Sequence, residues 1–244
     1  MPPARPPARL ALTGATELTA GAVSATATVT STMAESTTTP DLLLDAATRL
    51  FAERGVDNVS IAEIVRAADQ RNASAVHYHF GGRDEVLLAV LARHVPVIAE
   101  RRSRLLEVAE ARPDRDVRAA VEAIVRPVTE FAQRGWRERA YLQIGSEMTG
   151  AVDRASPAIR DLLGRTAGHA AWALFRRRCP TVPADLWQVR QEICIAFIGR
   201  AAADRARRLD QVGPEEPDVL SDDRFVDNLV DMVLGAMAAP HAVG

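Results

Sequence analysis

Residues 60–80 read SIAEIVRAADQRNASAVHYHF. Ser60 and Glu63 have the spacing of a capping box, and Val59 and Ile64 hold the staple positions on either side. Ile61, Ile64, Val65 and Ala68 then share one face of a helix. A turn over Asp69 to Asn72 leads into a second short helix from Asn72 to about Phe80. Its wheel turns Ala73, Val76 and Phe80 inward and Ser74, Ala75, Tyr78 and His79 outward, with His77 at the margin. A supporting helix, a tight turn and a short second helix with a polar and aromatic outer face are the parts of a helix-turn-helix.

Working outward, the upstream segment predicts a helix from about Pro40 to Arg54, with Thr39 as cap and Pro40 in the first turn. Leu43, Ala47, Leu50 and Phe51 form its apolar face and Gly55 ends it. Downstream, Gly81 and Gly82 break the pattern before Arg83 opens a long fourth helix. Residues 40–94 hold six Arg against eight Asp and Glu, so overall charge does not favour a polyanion. The local charge does. From Gln70 to Arg83 there is no carboxylate, and a phosphate backbone would dock there.

The 244 residues carry a net charge of −2 and no lysine, which leaves Arg, amides and hydroxyls to meet phosphates. Two cysteines make no disulfide framework and fit a reducing cytoplasm. Residues 1–38 are rich in Ala, Thr, Pro, Ser and Gly, and are expected to be a disordered tail. Met33 suggests a start of translation there. No membrane span is expected, because the charge-free run Leu18 to Ala34 is full of Thr, Ser and Ala, and no signal peptide, because Leu10 to Ala15 is short and Glu17 interrupts it. His77 and His79, two apart, do not share a helix face, so no metal is expected, and no cofactor.

Residues 43–90, LLDAATRLFAERGVDNVSIAEIVRAADQRNASAVHYHFGGRDEVLLAV, resemble the DNA-binding head of the TetR family of bacterial regulators. The likeness joins AATRLFAERG, SIAEIVRAA, YHF and GRDEVL in order. It implies an all-α protein with a helix-turn-helix domain over 39–94 and a larger helical domain for ligand binding and dimerisation over 95–240. It also implies phosphate contacts from Ser60, from His77 and Tyr78, and from Arg83. Three departures stand out: Asp69 replaces the usual turn Gly, DQRNASAV is one residue longer than usual, and His77 aligns with the usual Tyr. Base contacts are left open among Arg71, Asn72, Ala73, Ser74 and Ala75. Of these Arg71 suits guanine, and Asn72 equally suits a helix cap.

Beyond residue 95 helices are expected at about 114–134, 137–149, 157–178, 184–211 and 222–238, with Pro96 and Pro127 marking kinks or boundaries. Leu186, Val189, Ile193 and Phe197 trace one stripe, and Phe225, Leu229, Met232, Val233 and Ala236 another. In such a regulator these last two helices pair with a second copy. The helices between would enclose a small-molecule chamber, with Phe131, Tyr141, Met148, Trp172 and Phe175 as candidates and Gln143, Glu147 and His169 as polar partners. The Arg runs at 176–178 and 205–208 suit solvated helix faces or ends. The expected function is a dimeric repressor released from a palindromic operator by a ligand. Two rivals stand beside it: an activator without a ligand, and a helical enzyme using Glu147 or His169 with an incidental helical motif. No nucleophile elbow, zinc-binding HExxH or phosphate loop supports the enzyme.

Overall fold

The computed structural model describes residues 38–70, 74–166, 168–212 and 220–240, except the side chains of residues 74, 75 and 166. Every regular element among them is helical, as the periodicity predicts. Residues 1–37 of the expected tail, with Met33, and Arg71, Asn72 and Ala73 lie outside the described residues, as do the side chains of Ser74 and Ala75; Thr38, placed in the tail, is described.

Helix α1 spans Thr39–Arg54. Its cap is Thr38, one residue earlier than expected. The Thr38 hydroxyl accepts from the Asp41 amide and Asp41 reaches back to the Thr38 amide, so the box closes only in that register. Gly55 ends the helix at φ +84°, a conformation that favours glycine. Helix α2 is Ile61–Ala67 with the Ser60 and Glu63 box in place, and α3 is Ser74–His79. The long fourth helix is in fact two, α4 over Arg83–Ala92 and α5 over Val95–Glu110. The chain turns at Arg93 and His94 because Pro96 has no amide to continue the ladder and suits the first turn of a new helix.

Helix α6 spans Val117–Thr129 with Pro127 inside it, and a 3-10 turn at Glu130–Gln133 follows. Helix α7 is Trp136–Gly150. The expected helix over 157–178 is divided into α8, Pro157–Thr166, and α9, His169–Arg178, with Gly168 at φ +72° between them. Helices α10, Ala184–Val212, and α11, Asp222–Ala238, match their expected ranges closely.

One buried apolar cluster joins α1, α2, Val76 of α3 and α4 to Ile98 of α5, Ile144 of α7, Ile159 of α8 and Ala202 of α10. Apolar packing is thus continuous across residues 94 and 95. A second cluster fills the space among α5, α6, α9, α10 and α11 around Trp172, Phe175 and Trp187. Helix α7 packs along α10 on one side and α1 on another, which places it between the head and the rest of the body. Among the described residues no helix is long and apolar enough to cross a membrane.

Candidate nucleic-acid interface and interior chamber

The turn between α2 and α3 is built around Asp69, whose φ of +53° makes it the one non-glycine in the left-handed region among the described residues. Asp tolerates that region because its short side chain is polar and unbranched at Cβ. The Gln70 amide donates to the Val65 carbonyl at 3.0 Å and closes the end of α2. Val76 is fully buried and Phe80 half-buried, so α3 is held by its inner face. His77, Tyr78 and His79 are exposed, and Tyr78 reaches 86 %. His77 Nδ1 lies 2.8 Å from the Gly81 carbonyl, an acceptor, which requires the proton on Nδ1.

The Ser60 hydroxyl donates to Glu63 Oε2 at 2.7 Å and accepts from the Glu63 amide at 3.3 Å. The Ser60 hydroxyl, the Ser60 amide, which donates to the same oxygen at 2.9 Å, and Arg54 at 2.7 Å hold the Glu63 carboxyl down at about 2. Arg83 Nε donates to the Val59 carbonyl at 2.9 Å, and a second nitrogen donates to Val56 O. Its guanidinium lies over the Phe51 ring. Arg83 therefore ties the start of α4 to the corner between α1 and α2, beside Ser60. The structure brings the segments of Ser60, His77 and Arg83 together through these backbone carbonyls, and leaves Tyr78 projecting.

A cavity of about 630 Å³ lies among α5, α6, α7, α8, α9 and α10, lined by Ile98, Ile124, Tyr141, Leu163, Trp172 and Ile195 among others. Of the aromatic and polar candidates, Tyr141 and Trp172 line it. Phe131 is buried against Tyr141 and His94 instead, and Phe175 lies between Trp172 and Trp187. Met148 is buried on a different face of α7, because 141, 145 and 149 share one side of a 3.6-residue helix while 144 and 148 share another. Glu147 turns to the head and accepts from the Val56 amide, and Gln143 and His169 do not line the cavity. Among the wall residues that sequence reading missed is the cation Arg102. Its signal was present: it occupies an apolar stripe, four residues after Ile98 and three before Leu105.

On α10 and α11, Val189, Ile193 (62 %) and Met232 are exposed, while Leu186, Phe197 and Phe225 are half-buried. Leu229 and Val233 depart from the expected outward stripe. They are buried with Val226, Val230 and Met237 in the chain's own core, because that face of α11 packs on α6 and α10.

Residues 43–90 match the family model for bacterial regulatory proteins, tetR family. The chain is 31 % identical over 137 residues to the HTH-type transcriptional activator FasR of Mycolicibacterium smegmatis, covering 53 % of this chain and 60 % of that protein. It is 38 % identical over 93 residues to the HTH-type transcriptional regulator BetI of Brucella abortus, covering 37 % and 44 %. The matches thus span about two-fifths to three-fifths of those relatives' own length. A TetR-family regulator from Bordetella parapertussis shares the fold, with TM-score 0.55 at 17 % identity over 84 % of this chain and 98 % of that one. Residues 43–90 are thus similar to the head of the bacterial regulatory proteins of the tetR family, and the chain's helical fold is like that of a solved structure from that family.

Proposed function

We propose that the chain is a cytoplasmic, dimeric transcriptional regulator that binds a palindromic DNA operator with α3 and acts as a repressor, leaving the operator when a small molecule fills the chamber. The observation that carries DNA binding is Tyr78, a large aromatic standing 86 % exposed on a short helix within an acid-free segment. A tyrosine so placed can give its hydroxyl to a phosphate and fix the docking register. Within this reading Ser60, His77 and Tyr78 hold the DNA backbone, and Arg71, Asn72 and Ser74 read bases. Arg83 acts by holding the corner that presents them.

Exposed Val189, Ile193 and Met232 supply an apolar face for a second copy. Two symmetric heads would then read half-sites about 34 to 36 Å apart. The cavity volume falls within the range of about 300 to 1,000 Å³ usual for small-molecule sites.

The test is selection of sites from random DNA on the full chain, followed by titration of the recovered site at several salt concentrations. An inverted repeat with salt-sensitive affinity is expected. Tyr78→Ala should weaken binding to that site and to unrelated DNA alike, whereas Arg71→Ala should relax the choice of sequence. Recovery of no preferred sequence would overturn the reading. One observation favours a second direction of control: the relative from Mycolicibacterium smegmatis is named an activator. A reporter driven from the recovered site separates repression from activation.

A further inference from the structure

We infer that the chamber takes an apolar molecule with a single anionic head group, seated against Arg102. This rests on the chamber reading above and adds the chemical class of its occupant.

Arg102 stands in the buried stripe of α5 and is 7 % exposed, yet it forms part of the cavity wall. Around it the wall is mostly apolar, with Ile98, Ile124, Val128, Leu163 and Trp172, and Tyr141 is the polar group that acts on the guanidinium. The two acids that also line the cavity, Asp153 and Glu192, are exposed side chains at its rim, as is Arg160. The charges are therefore sorted by depth, with a buried cation inside and both acids in contact with solvent. A field inside an apolar cavity is screened far less than one in water, so the interior favours an entering anion and opposes an entering cation.

The guanidinium is also fixed in place. A Cβ added at Gly168 would come within 2.8 Å of Arg102 Nε, so the backbone between α8 and α9 packs directly on the side chain. Arg102 Nη2 faces the Ile124 carbonyl at 3.5 Å. A long cationic side chain commonly extends to water, and this one is held under the turn instead. Burial brings its pKa down to about 10, which still leaves it charged at neutral pH. The guanidinium offers five donors in a rigid planar fork that matches a carboxylate, so it can keep its protein contacts and still meet a head group.

The test titrates the full chain with decanoate, decan-1-ol and decylammonium, which share a chain and differ only in head group. Quenching of tryptophan fluorescence gives the readout, since Trp172 stands in the wall. Decanoate should bind at least about tenfold more tightly than decanol, the ratio for a hydrogen bond to a charged group, and decylammonium most weakly. Arg102→Gln should abolish the preference for decanoate over decanol, and Arg102→Lys should retain part of it. Equal binding of decanoate and decanol by the native chain overturns the anionic class and leaves the chamber reading standing. A preference that survives in Arg102→Gln overturns the seat at Arg102. Failure of all three probes to bind the native chain overturns the chamber reading as well. The native head-group series needs no variant, so it decides the matter even if Arg102→Gln does not fold.

Discussion

The backbone amide of Val56 donates to Glu147 Oε1 at 3.0 Å, joining the corner of the head to α7, 91 residues away in sequence. The Val56 carbonyl accepts from Arg83, so one residue is bound on one side to the body and on the other to the start of α4. The other side of α7 presents Tyr141, Gly145 and Thr149 to the cavity. A shift of α7 would therefore reach the corner that supports α2.

Glu147→Ala should leave the Val56 amide without its acceptor and cost about 1 to 3 kcal/mol of stability. Glu147→Gln keeps a carbonyl oxygen in reach and should cost less. Urea unfolding followed by circular dichroism measures both, and amide exchange at Val56 should quicken in the Ala variant. A Glu147→Ala protein as stable as the native chain would show that the bond does not support the corner.

Asp69 adopts φ +53°, where a branched side chain meets the following carbonyl. Asp69→Val should therefore destabilise the head by about 1 to 2 kcal/mol, while Asp69→Gly should be tolerated or slightly stabilising. Denaturant midpoints rank the three proteins. If Val were tolerated as well as Gly, the turn would have to adopt another conformation.

Much of the head was legible because its signals are local. The Ser60 and Glu63 box lies within one turn of helix, and the inward Val76 with outward Tyr78 follows from angular position alone. The break at Gly168 was not legible, because a glycine within an apolar helical pattern is tolerated. What decides it is the approach of Arg102 from α5. Leu229 was misread for a related reason: α11 is apolar over more than one face, and only its packing on α6 and α10 selects which is buried. The chamber wall was the least legible part. A cavity is the space left among six helices, so aromatic residues such as Phe131 and Phe175 can lie near it and still belong to the core.

His94, at the break between α4 and α5, is buried with its ring centroid 5.4 Å from that of Phe131 and 5.1 Å from that of Tyr141. Burial pushes its imidazole below the ordinary 6.5. Glu138 draws it upward, and Arg93, Arg137 and Arg134 press it further down. With the folded pKa below the unfolded one, the unfolded chain takes up the proton first as pH falls. His94 then favours unfolding below about pH 6.5 and has no effect well above it. Thermal midpoints should fall between pH 7.5 and 5.5, and less so in His94→Gln. Parallel losses in the two proteins would assign the acid sensitivity to other groups.

The dimer face proposed above allows a substitution that separates assembly from folding. Ile193 is 62 % exposed on α10, so replacing it cannot leave a large hole within the chain. Met232 of α11 and Val189 of α10 are exposed as well. In a dimer built on this face, Ile193→Arg places a charge where two apolar surfaces meet and no partner awaits it, a loss of several kcal/mol for a fully buried unpaired charge. In a monomer the same side chain extends into water at little cost. Ile193→Arg should thus retain the native circular dichroism spectrum yet sediment at half the native mass. Binding to a palindrome should weaken far more than binding to a single half-site, because the two heads no longer engage together. A variant that still sediments as a dimer would place the contact between copies elsewhere on the body.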